Sequence, residues 1–270
     1  MQLLLQAYND CQYDALNIGI NDLALGGNFL RRLQSAAEYP FISANIQDNQ
    51  GHPVFKPYVL IKRDNMTIAI AGVTSGNALA DTVHFADLVQ TARDVRKQIG
   101  SNADYAVLLA SVYNPDAERL QKADLPYDLI IRSHTIRASR MLDKASKGYF
   151  AETGKEGRYV QLVQIKESNA QQPLVDLSME KQRLRFIQSR LKQFDKLAGD
   201  QKIEDKYDQG TVTFVHSLRQ QKEELEQTIS DNPNYIALDV ITLGSTVPDN
   251  TEWAQKVKAF QEYYSQVATQ

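Results

Sequence analysis

The chain has 270 residues, 43% of them apolar, enough for a packed core in one large domain or in a domain with an appendage. Its 30 basic and 33 acidic residues are interspersed and leave a formal net charge of −3, so no broad field draws it to nucleic acid or to an anionic membrane. The single cysteine, Cys11, excludes an internal disulfide framework, a cysteine-built zinc site and a Cys-x-x-Cys-His haem attachment, and its helical surroundings predict a packed thiol.

No run of about eighteen apolar residues is present, so no membrane span is expected. The opening Met1-Gln2-Leu3-Leu4-Leu5-Gln6 lacks the basic flank and the small-residue cleavage site of a secretory signal. A helix is expected first. Short β-type runs then follow at 15–19, 41–46, 58–61, 67–73, 105–111 and 128–133, with helix-period segments near 27–38, 85–100 and 115–123. Strands interleaved with helices, several of them apolar on both faces, predict a layered α/β domain. Asp64-Asn65 between two such runs reads as a hairpin turn. A last pair of runs, 149–152 and 159–165, is joined by Thr153-Gly154-Lys155-Glu156-Gly157-Arg158 and reads as a second hairpin.

Glu167-Ser168-Asn169-Ala170-Gln171-Gln172-Pro173 is the linker candidate. From Met179 the spacing turns helical: Leu184, Ile187, Leu191, Phe194 and Ala198 recur in steps of three and four, and Val215, Leu218, Leu225 and Ile229 do the same further on. Ala198-Gly199-Asp200 supplies a stop between them, which predicts an antiparallel helical hairpin. Helices this short are marginal alone, so the hairpin is expected to pack on the globular domain or on another chain. A strand at 234–241 and a helix introduced by Pro248-Asp249-Asn250, with Trp253, Val257, Phe260, Tyr264 and Val267 on one face, close the chain. The expected domains are 1–170, a hairpin at 171–232, and a strand and helix at 233–270 that pack back on the first.

Two strand-end loops carry the functional signal: Ile18-Gly19-Ile20-Asn21-Asp22-Leu23 and Ile130-Ile131-Arg132-Ser133-His134-Thr135-Ile136. Together with Tyr13-Asp14-Ala15-Leu16-Asn17, Pro40-Phe41-Ile42-Ser43-Ala44-Asn45-Ile46 and Ile70-Ala71-Gly72-Val73-Thr74-Ser75, they resemble the 5'-nucleotidase branch of the calcineurin-like metallophosphoesterases over roughly residues 1–166. The resemblance implies a metallophosphoesterase-like β-sandwich flanked by helices, and it implies that the second hairpin closes the catalytic domain. Such enzymes read Gly-Asn-His-Glu where this chain has Gly19-Ile20-Asn21-Asp22, and Gly-His-x-His where it has Ser133-His134-Thr135-Ile136. Their Asp-x-His and Gly-Asp motifs lie ahead of the first of these loops and have no counterpart here. The Asn21-Asp22-Leu23 form resembles bacterial nucleotidase-like proteins, which implies an extracytoplasmic, periplasmic setting.

A two-metal phosphoesterase needs about six to eight His, Asp and Asn ligands around ions about 4 Å apart. Here Ile20 has no donor atom, Asn21 cannot act as an acid near neutral pH, and Ala110 or Ser111 stands where relatives place a ligand histidine. No metal ligand and no catalytic residue is therefore assigned, and no cofactor is expected. Asn21, Asp22, Arg132 and His134 are assigned to a nucleotide or phosphate ligand at the strand ends. Competing readings make His134 a structural hydrogen-bonding residue and Asp22 a cap on its own loop. The arginine pairs elsewhere read as solvated helix faces, and His52, His84 and His216 show no ligand spacing.

The expected function is that of a non-catalytic phosphoesterase-like domain acting in binding or assembly. The alternative is a phosphohydrolase using two divalent ions such as Mn²⁺ or Zn²⁺, completed by a missing N-terminal segment or by a protein partner that fills out the sheet. No Ser-His-Asp set can be chosen from sequence order alone.

Overall fold

The computed structural model describes residues 2–76, 83–167 and 173–267; the linker residues 168–172 and Asn77 of the Thr74-Ser75-Gly76-Asn77 turn lie outside them. The chain opens with α1 (Gln2–Asp10), β1 (Leu16–Asn17), a 3-10 turn (Ile20–Leu25), α2 (Gly27–Ala36), β2 (Phe41–Ile42), β3 (Ile46–Gln47), β4 (Tyr58–Arg63) and β5 (Met66–Thr74). It continues through β6 (His84–Phe85), α3 (Leu88–Ile99), β7 (Tyr105–Ser111), α4 (Asn114–Lys122), β8 (Leu129–Ser133), β9 (Asp143–Lys144) and β10 (Tyr149–Glu152). Then come β11 (Tyr159–Lys166), β12 (Val175–Asp176), α5 (Ser178–Ala198), α6 (Ile203–Lys206), α7 (Gln209–Asp231), β13 (Tyr235–Thr242) and α8 (Thr251–Val267). The chain divides into two compact units, 1–138 with 143–159 and 242–270, and 139–142 with 160–241.

The first unit is built on a six-stranded sheet of order β4-β5-β7-β8-β10-β9. Its central strands β5, β7, β8 and β10 run parallel, in a register that aligns Thr74 with Ser111 and Ser111 with Ser133. Parallel strands are covered on both faces, and the expected double-sided apolar character is met: most of β5 and β7 is buried. Ala71, Val73, Leu108 and Ile130 pack with Leu88, Ala92, Val95 and Ile99 of α3 and Leu120 of α4. Tyr127 is buried among them, and its hydroxyl donates to Ala92 O at 2.9 Å, which satisfies the polar end of an otherwise apolar side chain. A second core gathers Ile18, Leu30, Leu33, Tyr39, Phe41, Ile46 and Phe55.

Strands 58–61, 67–73, 105–111 and 128–133 appear within a few residues of expectation, and the Asp64-Asn65 turn joins β4 to β5 with Asp64 left-handed at φ 49°. The run 41–46 is instead two short strands. Between them Asn45 leaves the β2 pairing and clasps Thr74, accepting from its N–H at 2.9 Å and donating to its carbonyl at 2.8 Å. The helix near 85–100 starts later, at Leu88, because Asp87 caps it through Gln90 N at 2.8 Å, while His84 and Phe85 pair with β3.

Two further expectations are corrected. The runs 149–152 and 159–165 do not form a hairpin: β10 lies between β8 and β9, whereas β11 joins β13 and β12 in a separate sheet. Gly148 permits this, since its bare backbone lies against the Tyr127 and Asp128 carbonyls at the start of β8. Cys11 is exposed rather than packed, because α1 ends at Asp10 and the thiol falls in the turn beyond it.

In the second unit α5 and α7 pair as the helical hairpin, burying Ile187, Leu191 and Ala198 against Val212, Val215 and Leu218. Gly199, at φ 63°, ends α5 by returning its N–H to Asp195 O, a conformation glycine adopts without a Cβ penalty. Outward-facing Met179, Phe186, Leu197 and Phe214 remain exposed on these helices. On α8, Val257, Phe260 and Tyr264 of the expected apolar face are exposed as well.

Candidate functional site at the strand ends

The aligned carboxyl ends of β5, β7 and β8 make the edge at which open α/β sheets bind ligands. The chain after β1 is tied to the same edge: Asn17 Nδ2 donates to Val73 O at 2.9 Å, and Thr74 Oγ1 donates to Ile18 O. Ser75 N then donates to Ser111 O at 2.9 Å. These bonds fix Gly19 against Ser111 so closely that a Cβ at position 19 would lie 2.8 Å from Ser111 Oγ.

Asp22 reaches back within its turn, its Oδ2 accepting from Gly19 N at 2.8 Å, while Asp22 N donates to Gly19 O at 3.1 Å. The cap reading of Asp22 is therefore realised. Burial pushes its carboxyl above the ordinary carboxylate pKa, opposed by the Gly19 hydrogen bond and by the neighbouring His134. His134 follows β8 in the left-handed region at φ 63°, uncommon for a residue other than glycine. Its Nε2 lies 3.1 Å from Ser111 Oγ, and its ring tilts against Tyr113 at 5.2 Å. Thr135 anchors the next residue, its Oγ1 accepting from Gly154 N at 3.0 Å.

Of the four residues assigned to a ligand from sequence, the fold brings Asp22 and His134 together; Asn21 is exposed on the same turn. Arg132 is buried and its guanidinium is engaged inside the protein. Nη1 meets Glu152 Oε1 at 2.7 Å, Nε donates to Val112 O at 3.3 Å and Nη2 donates to Asn114 Oδ1. Tyr113 carried no periodic or motif signal, being a loop residue between β7 and α4.

A two-metal centre does not fit these residues. Among the described residues no group of three or more His, Cys, Asp or Glu side chains is gathered to hold a metal ion, whereas such a centre draws on about twice that number of ligands. One consequence of the Asp22 environment is measurable. Because its pKa is raised on folding, Asp22 favours the fold when protonated, and that contribution is lost as pH rises through the raised value. Asp22→Asn, which keeps an acceptor for Gly19 N, is expected to melt higher than wild type at pH 7. The gap should close below about pH 4, where both states carry a protonated aspartate; a pH series of thermal melts reads it, and equal melting at every pH would contradict the assignment.

The fold is similar to those of solved phosphoesterases. It is similar to the Thermus thermophilus sulfate thiohydrolase SoxB (TM-score 0.55, 17% identity, 60% of this chain and 32% of that one). It is equally similar to the calcineurin-like phosphoesterase YfkN of Bacillus subtilis (TM-score 0.55, 17% identity, 62% of each chain). A 5'-nucleotidase precursor from Thermus thermophilus matches with TM-score 0.50 at 16% identity, over 61% of this chain and 38% of that one. At these identities the likeness defines the fold alone.

In sequence, protein UshA of Escherichia coli K12 is 30% identical over 125 residues, 45% of this chain and 20% of that protein. Protein UshA of Salmonella pullorum is 28% identical over 109 residues, 37% of this chain and 20% of its own length. The matched stretch thus spans about a fifth of these curated relatives. No family model matches the chain. Among the described residues no helix is long and apolar enough to cross a membrane.

Proposed function

We propose that the chain is a 5'-nucleotidase-like phosphoesterase domain that does not itself hydrolyse phosphate esters and that acts by binding or assembly in an extracytoplasmic, periplasmic setting. The observation that carries this reading is the donor set: at the strand ends Asp22 and His134 stand with Ser111, and among the described residues no larger cluster of ligating side chains surrounds them. The ligand we assign to this edge is a nucleotide or phosphate, met by Asn21, Asp22 and His134. The fourth residue assigned to that ligand, Arg132, is engaged with Glu152 and Asn114 and would have to exchange those partners to reach it. The surface we assign to a protein partner is the helical hairpin, whose exposed Met179, Phe186, Leu197 and Phe214 form apolar contacts in waiting.

Elemental analysis of purified protein, paired with p-nitrophenyl phosphate hydrolysis under added Mn²⁺ or Zn²⁺, tests the reading. The expected result is no stoichiometric metal and no metal-dependent turnover. Two tightly held ions per chain, with turnover that disappears in His134→Ala, would overturn it. A second reading, a two-metal phosphohydrolase completed by residues from an upstream segment or another chain, is favoured by the convergence of Asp22 and His134 on one edge. It requires metal binding and turnover to appear when those residues are supplied.

A further inference from the structure

The strand ends hold a second arrangement that needs no metal. Ser111 closes a central parallel strand and is followed after two residues by α4, so its hydroxyl sits at a strand-loop-helix junction. Ser111 is the last paired residue of its strand, aligned with Thr74 on one side and Ser133 on the other, and the helix N-terminus that follows carries a partial positive charge. His134 Nε2 is 3.1 Å from Ser111 Oγ, within the range for proton transfer between a hydroxyl nucleophile and its base. Asp22 comes in from the Gly19 turn: a Cβ at position 19 would lie 2.8 Å from Ser111 Oγ and 3.5 Å from Asp22 Oδ2. Residues far apart in sequence, Asp22, Ser111 and His134, are thus assembled as a serine, a histidine and a carboxylate.

The surroundings favour this use. Only glycine fits at position 19 beside the hydroxyl, since a Cβ there would lie 2.8 Å from Ser111 Oγ. His134 is held left-handed at φ 63°, a conformation that costs about 1 kcal/mol or more and that recurs where a side chain must be aimed. Ser111 is itself buried, at 7% exposed, and the exposed side chains beside it are His134, 3.1 Å from its Oγ, and Tyr113, two residues along the chain. Asp22 is a negative group at the site, and the Arg132 guanidinium is committed to Glu152, Asn114 and Val112. Covalent attack by a serine calls for a carboxylic ester, a different use of this edge from the nucleotide or phosphate binding proposed above, and one that needs no further cation there.

We propose that Ser111 is a nucleophile activated by His134, and that the strand ends cleave short carboxylic esters by acyl transfer. The Ser111 hydroxyl gives its proton to His134 Nε2 while Oγ bonds to the ester carbonyl carbon. The bond from that carbon to the alkoxy oxygen breaks, and His134 returns the proton to the departing alcohol. Water, deprotonated by His134, then attacks the acyl-serine, releasing the carboxylic acid and restoring the hydroxyl. Asp22 is a positioning residue that stabilises the imidazolium formed in each step.

The test uses the whole chain in EDTA. Diisopropyl fluorophosphate, whose fluoride is displaced by an activated serine, is expected to add once per chain, on Ser111 by peptide mapping. Hydrolysis of p-nitrophenyl butyrate is expected to fall at least about 100-fold in Ser111→Ala and in His134→Asn. Asparagine tolerates the left-handed backbone but supplies no base, so circular dichroism melts close to wild type would establish that the loss is chemical. Asp22→Asn should lower kcat and leave KM near wild type. Labelling absent or confined to another residue, hydrolysis that persists in Ser111→Ala, or an unchanged kcat in Asp22→Asn would overturn the assignment. Because no metal takes part, failure here leaves the metal and phosphate measurements above unaffected.

Discussion

Arg132→Ala is expected to cost about 3 kcal/mol of unfolding free energy, the lower part of the range for breaking a buried ion pair by removing one partner. The side chain is 9% exposed and its guanidinium joins three parts of the first unit: Glu152 on β10, the Val112 carbonyl after β7, and Asn114 in the first turn of α4. Truncation strips the counter-charge from Glu152, whose own side chain is 32% exposed and can recruit some water, which keeps the cost from the top of the range. Arg132→Lys should recover only part of the loss, because an ammonium is a point charge and cannot fork onto three acceptors. In the double variant Arg132→Met, Glu152→Gln the two changes should be less than additive, as expected for residues in direct contact. Urea unfolding measures all of them. A loss under about 1 kcal/mol in Arg132→Ala would mean that the guanidinium is not a structural clamp and is available to a ligand.

Gly148→Ala should be of similar size or larger. A Cβ there would lie 2.1 Å from Tyr127 O and 2.6 Å from Asp128 O. Both are backbone atoms at the entry to β8, where Tyr149 N donates to Asp128 O at 3.0 Å, so no side-chain rotation relieves the clash. Relief requires β10 to move away from β8, opening the parallel pairing that runs from Tyr149 with Leu129 to Glu152 with Arg132. Overpacking costs about 1–3 kcal/mol where neighbours can yield and more where they cannot, which sets the expectation at about 3 kcal/mol or above. Gly244→Ala is the matched control, since nothing lies within 4 Å of the added atom and its backbone is not left-handed. Thermal melts of the two variants side by side decide the matter; indistinguishable midpoints would refute the close approach at Gly148. The same displacement would disturb Arg132 and Glu152, so destabilisation by the two single variants should be partly shared.

The central strands were readable because their apolar pattern is local. Met66–Thr74 and Tyr105–Ser111 are short apolar runs bounded by turn residues, and each is long enough to be told from the polar, helix-spaced segments between them. The helical hairpin was equally plain, since Ile187, Leu191 and Ala198 repeat at helical spacing and Gly199 marks the stop. Expectations failed where a long-range bond overrode local preference. Asn45 breaks the run 41–46 by binding Thr74, 29 residues away, and Glu152 takes β10 to Arg132 rather than to its neighbour in sequence, β11. The site divides along the same line. That Asp22 caps its turn follows from a three-residue interval. That Arg132 is spent inside the protein, and that Ser111 meets His134 across 23 residues with Asp22 close by on another loop, depends on strand register. Composition and spacing therefore determined most of the strands and helices, because these are properties of contiguous residues. Only tertiary structure decided what the surviving polar groups touch, because hydrogen bonds and ion pairs act over about 3 Å between atoms that the chain brings together from distant positions.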